Sequence, residues 1–74
     1  MNELTNEGCW DQAEKASAAG NHRLAYRWYN TAAARTIGHK KSDRYHELAT
    51  IELNKAGLKA SDVPDHYAND EEAI

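Results

Sequence analysis

Apolar and small residues along this chain return every three or four positions rather than every two, and glycines close the stretches in which they do so. That spacing is the period of an α-helix with one buried face. Gly20, Gly38 and Gly57 each follow a run of helix formers, which is where a left-handed residue ends a helix. Three helices are predicted, over about 6–19, 22–37 and 43–56. The first carries Trp10, Ala13 and Ala16 or Ser17 on one stripe, with Gly8 weakening its first turn. The second has Asn21 as N-cap and a stripe of Ala25, Trp28 or Tyr29, Ala32 and Thr36. The third is capped by Ser42, places Asp43 at the positive end of its dipole, and turns Tyr45, Leu48, Ala49, Ile51 and Leu53 inward. Leu58, just past Gly57, is positioned to touch Leu53 in a Schellman closure.

No segment alternates apolar and polar residues long enough to form a strand, and connections this short make sequential helices antiparallel neighbours. The expected fold is an all-α, three-helix antiparallel array occupying residues 1–60. Residues 61–74, "SDVPDHYANDEEAI", read as an acidic tail that docks Val63 and Tyr67, turns at Pro64 and ends in disorder.

Length changes this picture only by limiting it. Seventy-four residues make a single domain. Thirteen of the apolar residues are alanine and only nine are Leu, Ile or Val, so helices can approach closely but each contact buries little. At roughly 25 cal/mol per Å² of apolar surface, such a core stabilises a monomer by only a few kcal/mol, which favours partner binding or homo-oligomerisation. The single cysteine, Cys9, cannot form an internal disulfide, and neither a charged-then-apolar leader nor a long apolar run is present. A cytoplasmic protein with no membrane contact is expected.

Charge divides the chain unevenly. From Asp62 onward there are five acidic residues and no Lys or Arg, which leaves residues 1–61 at a formal +2 although the whole chain is -3. Within residues 20–46 the balance is +5, carried by Arg23, Arg27, Arg35, Lys40, Lys41 and Arg44 against Asp43. This basic patch could attract acidic protein or nucleic acid, or be an ordinary solvated face.

Catalytic chemistry has little to stand on. None of His22, His39, His46 and His66 forms an i, i+4 pair, and "His46-Glu47" lacks the second histidine of a zincin motif, so no metal or other cofactor is expected. Cys9 has no activating neighbour in sequence and reads as a small, half-buried hydrophobe. No catalytic residues are assigned, and the chain is expected not to be an enzyme.

The aromatic pair Trp28-Tyr29 is more informative. Adjacent residues on a helix point about 100° apart, so one should be packed and the other at least partly exposed. Tyr29 lies on the alanine stripe and is assigned to the core. Trp28 aligns with Leu24 and Arg35 and flanks Arg27. A tryptophan in so small a domain can be core, but beside arginine it also has the composition of an interface hot spot. Leu24, Arg27, Trp28 and Arg35 are therefore assigned as the partner-binding surface.

Gly20, Ala25, Tyr29 and Ala32 have the spacing G-x4-A-x3-aromatic-x2-A, which resembles the helical hairpin of a tetratricopeptide repeat; about one and a half units would fit. Over about residues 10–56 the chain also resembles the ANR family, negative regulators of AraC-type transcription activators. The resemblance rests on Ala13, Ala16 and Ala19 before Gly20-Asn21-His22, then Ala25, Trp28-Tyr29, Ala32-Ala33 and Tyr45. "GNHRLAYRW" is similar to the G-x4-A-x-RW element of the related PerC-like regulators. His22 stands where the ANR pattern has tyrosine, and no cysteine or arginine closes the third helix. The resemblance implies a small bacterial or phage regulator without enzymatic activity, whose partner would be an AraC-type activator. Two other readings stay open: a nucleic-acid binder using the basic patch, and a phage-encoded inhibitor of a host enzyme or defence complex.

Overall fold

A computed structural model describes residues 6–72, and their fold follows from how each helix is started, stopped and turned. Helix α1 spans Asn6–Ala18, α2 His22–Arg35 and α3 Lys40–Lys55, with single 3-10 turns at Ala60–Asp62 and Asp70–Glu72. No strand occurs among the described residues. The chain is an all-α, three-helix array, as the periodicity predicts. No helix among the described residues is long and apolar enough to cross a membrane.

The helix ends explain these boundaries. Gly20 closes α1 with φ 82°, while Asn21 N–H donates to Ala16 O at 2.8 Å and Gly20 N–H to Ser17 O at 3.0 Å. Those two bonds are a Schellman motif. The same pair recurs after α3, where Leu58 N–H reaches Leu53 O and Gly57 N–H reaches Asn54 O, with Gly57 at φ 70°. Asn21 caps α2 as predicted, its side-chain oxygen accepting from Leu24 N–H at 3.3 Å. The start of α3 differs from prediction. His39, not Ser42, is its N-cap: Nδ1 accepts from Lys41 N–H at 3.2 Å, so the helix begins three residues earlier than expected. Ser42 is freed to donate to Ala33 O at 3.2 Å and tie α3 to the end of α2. Helix α2 stops at Arg35 rather than 37. The Thr36 hydroxyl lies 2.9 Å from Ala32 O, and Ile37 beyond it is 83% exposed.

Side-chain contacts fix the arrangement. Arg35, at the end of α2, donates to Cys9 Sγ near the start of α1 at 3.2 Å, and His22, at the start of α2, meets Glu52 near the end of α3 at 3.0 Å. Helix α2 is therefore antiparallel to both neighbours and lies between them. Ala25, Tyr26, Trp28, Tyr29, Thr31, Ala32 and Ala33 are all buried. At 100° per residue they cover about 220° of the α2 circumference, roughly twice the stripe of an ordinary surface helix. Cys9, Ala13 and Ala16 face them from α1, and Tyr45, Ala49 and Leu53 from α3.

On α3 the inward stripe centres on a charge. Ile51, expected in the core, is 44% exposed, whereas Glu52 is buried. Taking Tyr45, Leu48, Ala49 and Leu53 as the packed face, Glu52 falls in its middle and Ile51 about 60° outside its edge. Burial acts to raise the Glu52 pKa, but hydrogen bonds from Ser17 and His22 and the Lys55 charge outweigh it and hold the carboxyl below its ordinary range. A carboxylate only accepts, so His22 Nδ1 is the donor in this pair. Glu52 thereby ties the end of α1, the start of α2 and the end of α3 together.

The C-terminal segment packs against the helices instead of trailing from them. Val63 is fully buried and Ala68 nearly so, while Tyr67, expected to dock, is 55% exposed. Disorder is expected at the chain's end, whereas Asp65, His66, Tyr67, Ala68 and Glu72 bond to α2, and Ala73 and Ile74 lie outside the described residues. The radius of gyration, 11.1 Å, matches the roughly 11 Å of a compact chain of this length.

Candidate functional site

The four residues assigned to partner binding do not form one open surface. Trp28 is 0% exposed and Tyr29 is also buried, so both aromatics belong to the core. Two directions 100° apart can both be buried because α2 has helices on two sides; the expectation of one exposed ring assumed a helix with a single covered face. Tyr29 meets the Trp10 ring edge-to-face, with centroids 5.9 Å apart. Trp28 Nε1 is buried with no hydrogen-bond partner among the described residues. Leu24 packs half-buried against the core, and Arg35 is exposed but turned toward Cys9. Cys9 is fully buried, not half-buried.

Arg27 is occupied by the chain's own tail. Its Nη1 and Nη2 donate to the two oxygens of Glu72 at 2.6 and 2.7 Å, and Nη2 also reaches Asp65 Oδ2 at 2.7 Å and Tyr67 O at 3.0 Å, with Nε on Asp65 O at 3.1 Å. The Glu72 hydrogen bond raises the Arg27 pKa above its ordinary value despite partial burial, and the Arg27 hydrogen bond holds the Glu72 carboxyl below its own. The basic patch thus loses its middle member. Arg23, Arg35, Lys40, Lys41 and Arg44 remain at exposed positions, Arg44 with Glu47 at 3.3 Å.

Three of the four histidines make structural contacts. His39 caps α3, His22 serves Glu52, and His66 Nδ1 lies 2.8 Å from the Tyr26 hydroxyl, leaving His46 on the outer face of α3. Among the described residues no group of three or more His, Cys, Asp or Glu side chains is placed to hold a metal ion.

A concave feature with an aromatic floor lies between the N-terminal halves of α1 and α3. Both helices run in the same direction beside α2, so Trp10 and Tyr45 come together with ring centroids 5.7 Å apart at 65°. They floor a groove of about 550 Å³ whose remaining lining is Asp11, Lys41 and Arg44. That volume lies within the range of small-molecule and peptide side-chain sites. Tyr45 is buried and positioned by the core, Trp10 is half-buried, and the three charged residues are exposed, two cations against one carboxylate. The arrangement offers an aromatic floor to an apolar group and, on its rim, Lys41 and Arg44, the latter also meeting Glu47, opposite Asp11. Lys41 and Arg44 belong to the predicted basic patch, whereas the groove itself was not foreseen. Its signal in the sequence is an aromatic in the N-terminal half of both the first and third helices, and these meet only once those helices run side by side in the same direction.

No protein-family model, curated protein or solved structure matches this chain.

Proposed function

We propose that this chain is a small, non-enzymatic cytoplasmic regulator that acts by protein contact, and that it takes hold of its partner in the groove between α1 and α3. The observation that carries this reading is the Trp10–Tyr45 floor rimmed by Lys41 and Arg44. Aromatic and arginine side chains around a concave patch have the composition of binding hot spots. The occupant that suits them is a protein segment with an apolar side chain next to a carboxylate. The contact surface moves from the α2 face expected from sequence to this groove because Trp28 is enclosed and Arg27 is taken. By the family resemblance, the partner is an AraC-type activator whose output the chain lowers.

The test is a reporter promoter driven by an AraC-type activator, with the full chain co-expressed. The wild-type chain should lower the output, and Lys41→Glu with Arg44→Glu, both exposed and outside the core, should restore it while circular dichroism stays unchanged. Arg23→Glu, remote from the groove lining, should behave as wild type. Unchanged output with the wild-type chain overturns the regulator reading; loss of repression by all three substitutions alike overturns the groove. A nucleic-acid binder would instead show duplex-DNA affinity falling steeply between low and moderate salt.

A further inference from the structure

The tail is held on α2 in a way that does not require it to be part of the same chain. Tyr26, Arg27, Asn30 and Thr31 form a strip along α2, and each bonds to the segment 65–72. Much of what they recognise is backbone. Arg27 takes the carbonyls of Asp65 and Tyr67, Asn30 Nδ2 donates to His66 O at 3.2 Å, and the Thr31 hydroxyl accepts from Ala68 N–H at 2.9 Å while lying 3.0 Å from Ala68 O. The side chains it selects are His66, whose Nδ1 lies 2.8 Å from the Tyr26 hydroxyl, and two carboxylates, Asp65 and Glu72, seven positions apart and both on one guanidinium. Between them Ala68 is buried and Tyr67 projects into solvent.

We propose that this strip of α2 is a second binding site, a receptor for an acidic segment of a partner protein, and that the chain's own tail is its built-in competitor. These contacts define the ligand: an acidic segment with a small residue opposite Thr31, a hydrogen-bonding side chain at Tyr26 and carboxylates on either side that reach Arg27. The occupant is a partner's segment because the strip is cationic where the tail is anionic, and because the attachment is mostly polar and partly exposed. The Asp65 carboxylate is 66% exposed, so its ion pair contributes little, and the forked Arg27–Glu72 pair is the tie that must open to release the strip. The tether supplies the tail at an effective concentration near millimolar, and a free ligand must overcome that advantage. This site is independent of the α1–α3 groove, from which no residue is shared.

The experiment uses the full chain carrying Asp65→Asn and Glu72→Gln, which takes both carboxylates off Arg27 and loosens the tail without touching α2. The probe is a fluorescein-labelled synthetic peptide of residues 61–72, followed by anisotropy. The opened chain is expected to bind the peptide at least tenfold more tightly than wild type, and adding Arg27→Ala should abolish the gain. Should the double variant lose its helical signal, Glu72→Gln alone, whose carboxylate meets only Arg27 and the Asn69 amide, gives the same comparison. Equal binding by opened and wild-type chains overturns the proposal, as does binding that survives Arg27→Ala. Wild-type dimers at micromolar concentration that dissolve with Arg27→Ala would also overturn it, by making a second copy's tail the occupant.

Discussion

Replacing Trp28 by alanine removes the largest fully buried side chain of a domain whose other core residues are mostly alanine and tyrosine. An aromatic of this size buries roughly 200 Å², worth about 5 kcal/mol at 25 cal/mol per Å², and measured Trp→Ala losses in cores run about 3–5 kcal/mol. A chain of this length has about 4–11 kcal/mol in total by the usual per-residue range, and a core this poor in large aliphatics belongs at the lower end. Trp28→Ala should therefore leave the domain largely unfolded, or lower its melting temperature by at least about 12 °C at roughly 4–8 °C per kcal/mol. Trp28→Phe should behave very differently. It gives up about 1–2 kcal/mol of burial but also removes the unpaired indole N–H, whose desolvation costs about 1–3 kcal/mol. The net change should stay within about 1 kcal/mol of wild type. Thermal and urea unfolding followed by far-UV circular dichroism reads both. A cooperative Trp28→Ala transition within about 4 °C of wild type would refute the core assignment, and a Phe variant as damaged as the Ala variant would refute the argument about the indole.

The remaining predictions concern the other ties of the fold. Glu52, held below the ordinary carboxyl range in the folded chain, stabilises it above the unfolded pKa of about 4.3 and ceases to as pH falls through its folded value. Glu52→Gln should consequently flatten the acid limb of a stability–pH curve, whereas an unchanged acid limb would place the acid sensitivity elsewhere. Gly20→Ala meets no neighbouring atom but must hold φ near 82°, so it should cost about 1–2 kcal/mol in urea unfolding, with Gly20→Asn costing less. Thr31→Val keeps the shape of the side chain and deletes the hydroxyl that accepts from the Ala68 amide. Hydrogen exchange at that amide should accelerate while amides in α1 and α3 keep their protection; uniform acceleration would mean that tail and helices open together.

Much of the fold was written locally. Three glycines after helix-forming runs, an asparagine at the right position and a period near 3.6 are enough to place three helices to within a few residues, because caps and periodicity act over four or five positions. The family resemblance to regulators, by contrast, rests on the sequence pattern alone. His39 as the cap of α3 was missed because Ser42 is the better capping residue by preference, and only the turn geometry after Gly38 selects between them. Hydrophobicity points to Ile51 as the inward residue of α3, whereas angular position on the helix places Glu52 there.

What the sequence determined by itself is therefore the inventory of helices, the breaks between them and the segregation of acidic residues at the end. The tertiary structure decided how many sides of each helix are covered. With α1 and α3 on two sides and the tail on a third, α2 has no broad face left, so Trp28 became core and Arg27 became the seat of the tail. The same packing made α1 and α3 parallel and brought Trp10 and Tyr45, thirty-five positions apart in the chain, onto one groove. Short-range patterns carry the energetics of turns and caps, but which faces meet depends on contacts between residues distant in sequence, and no local pattern encodes those.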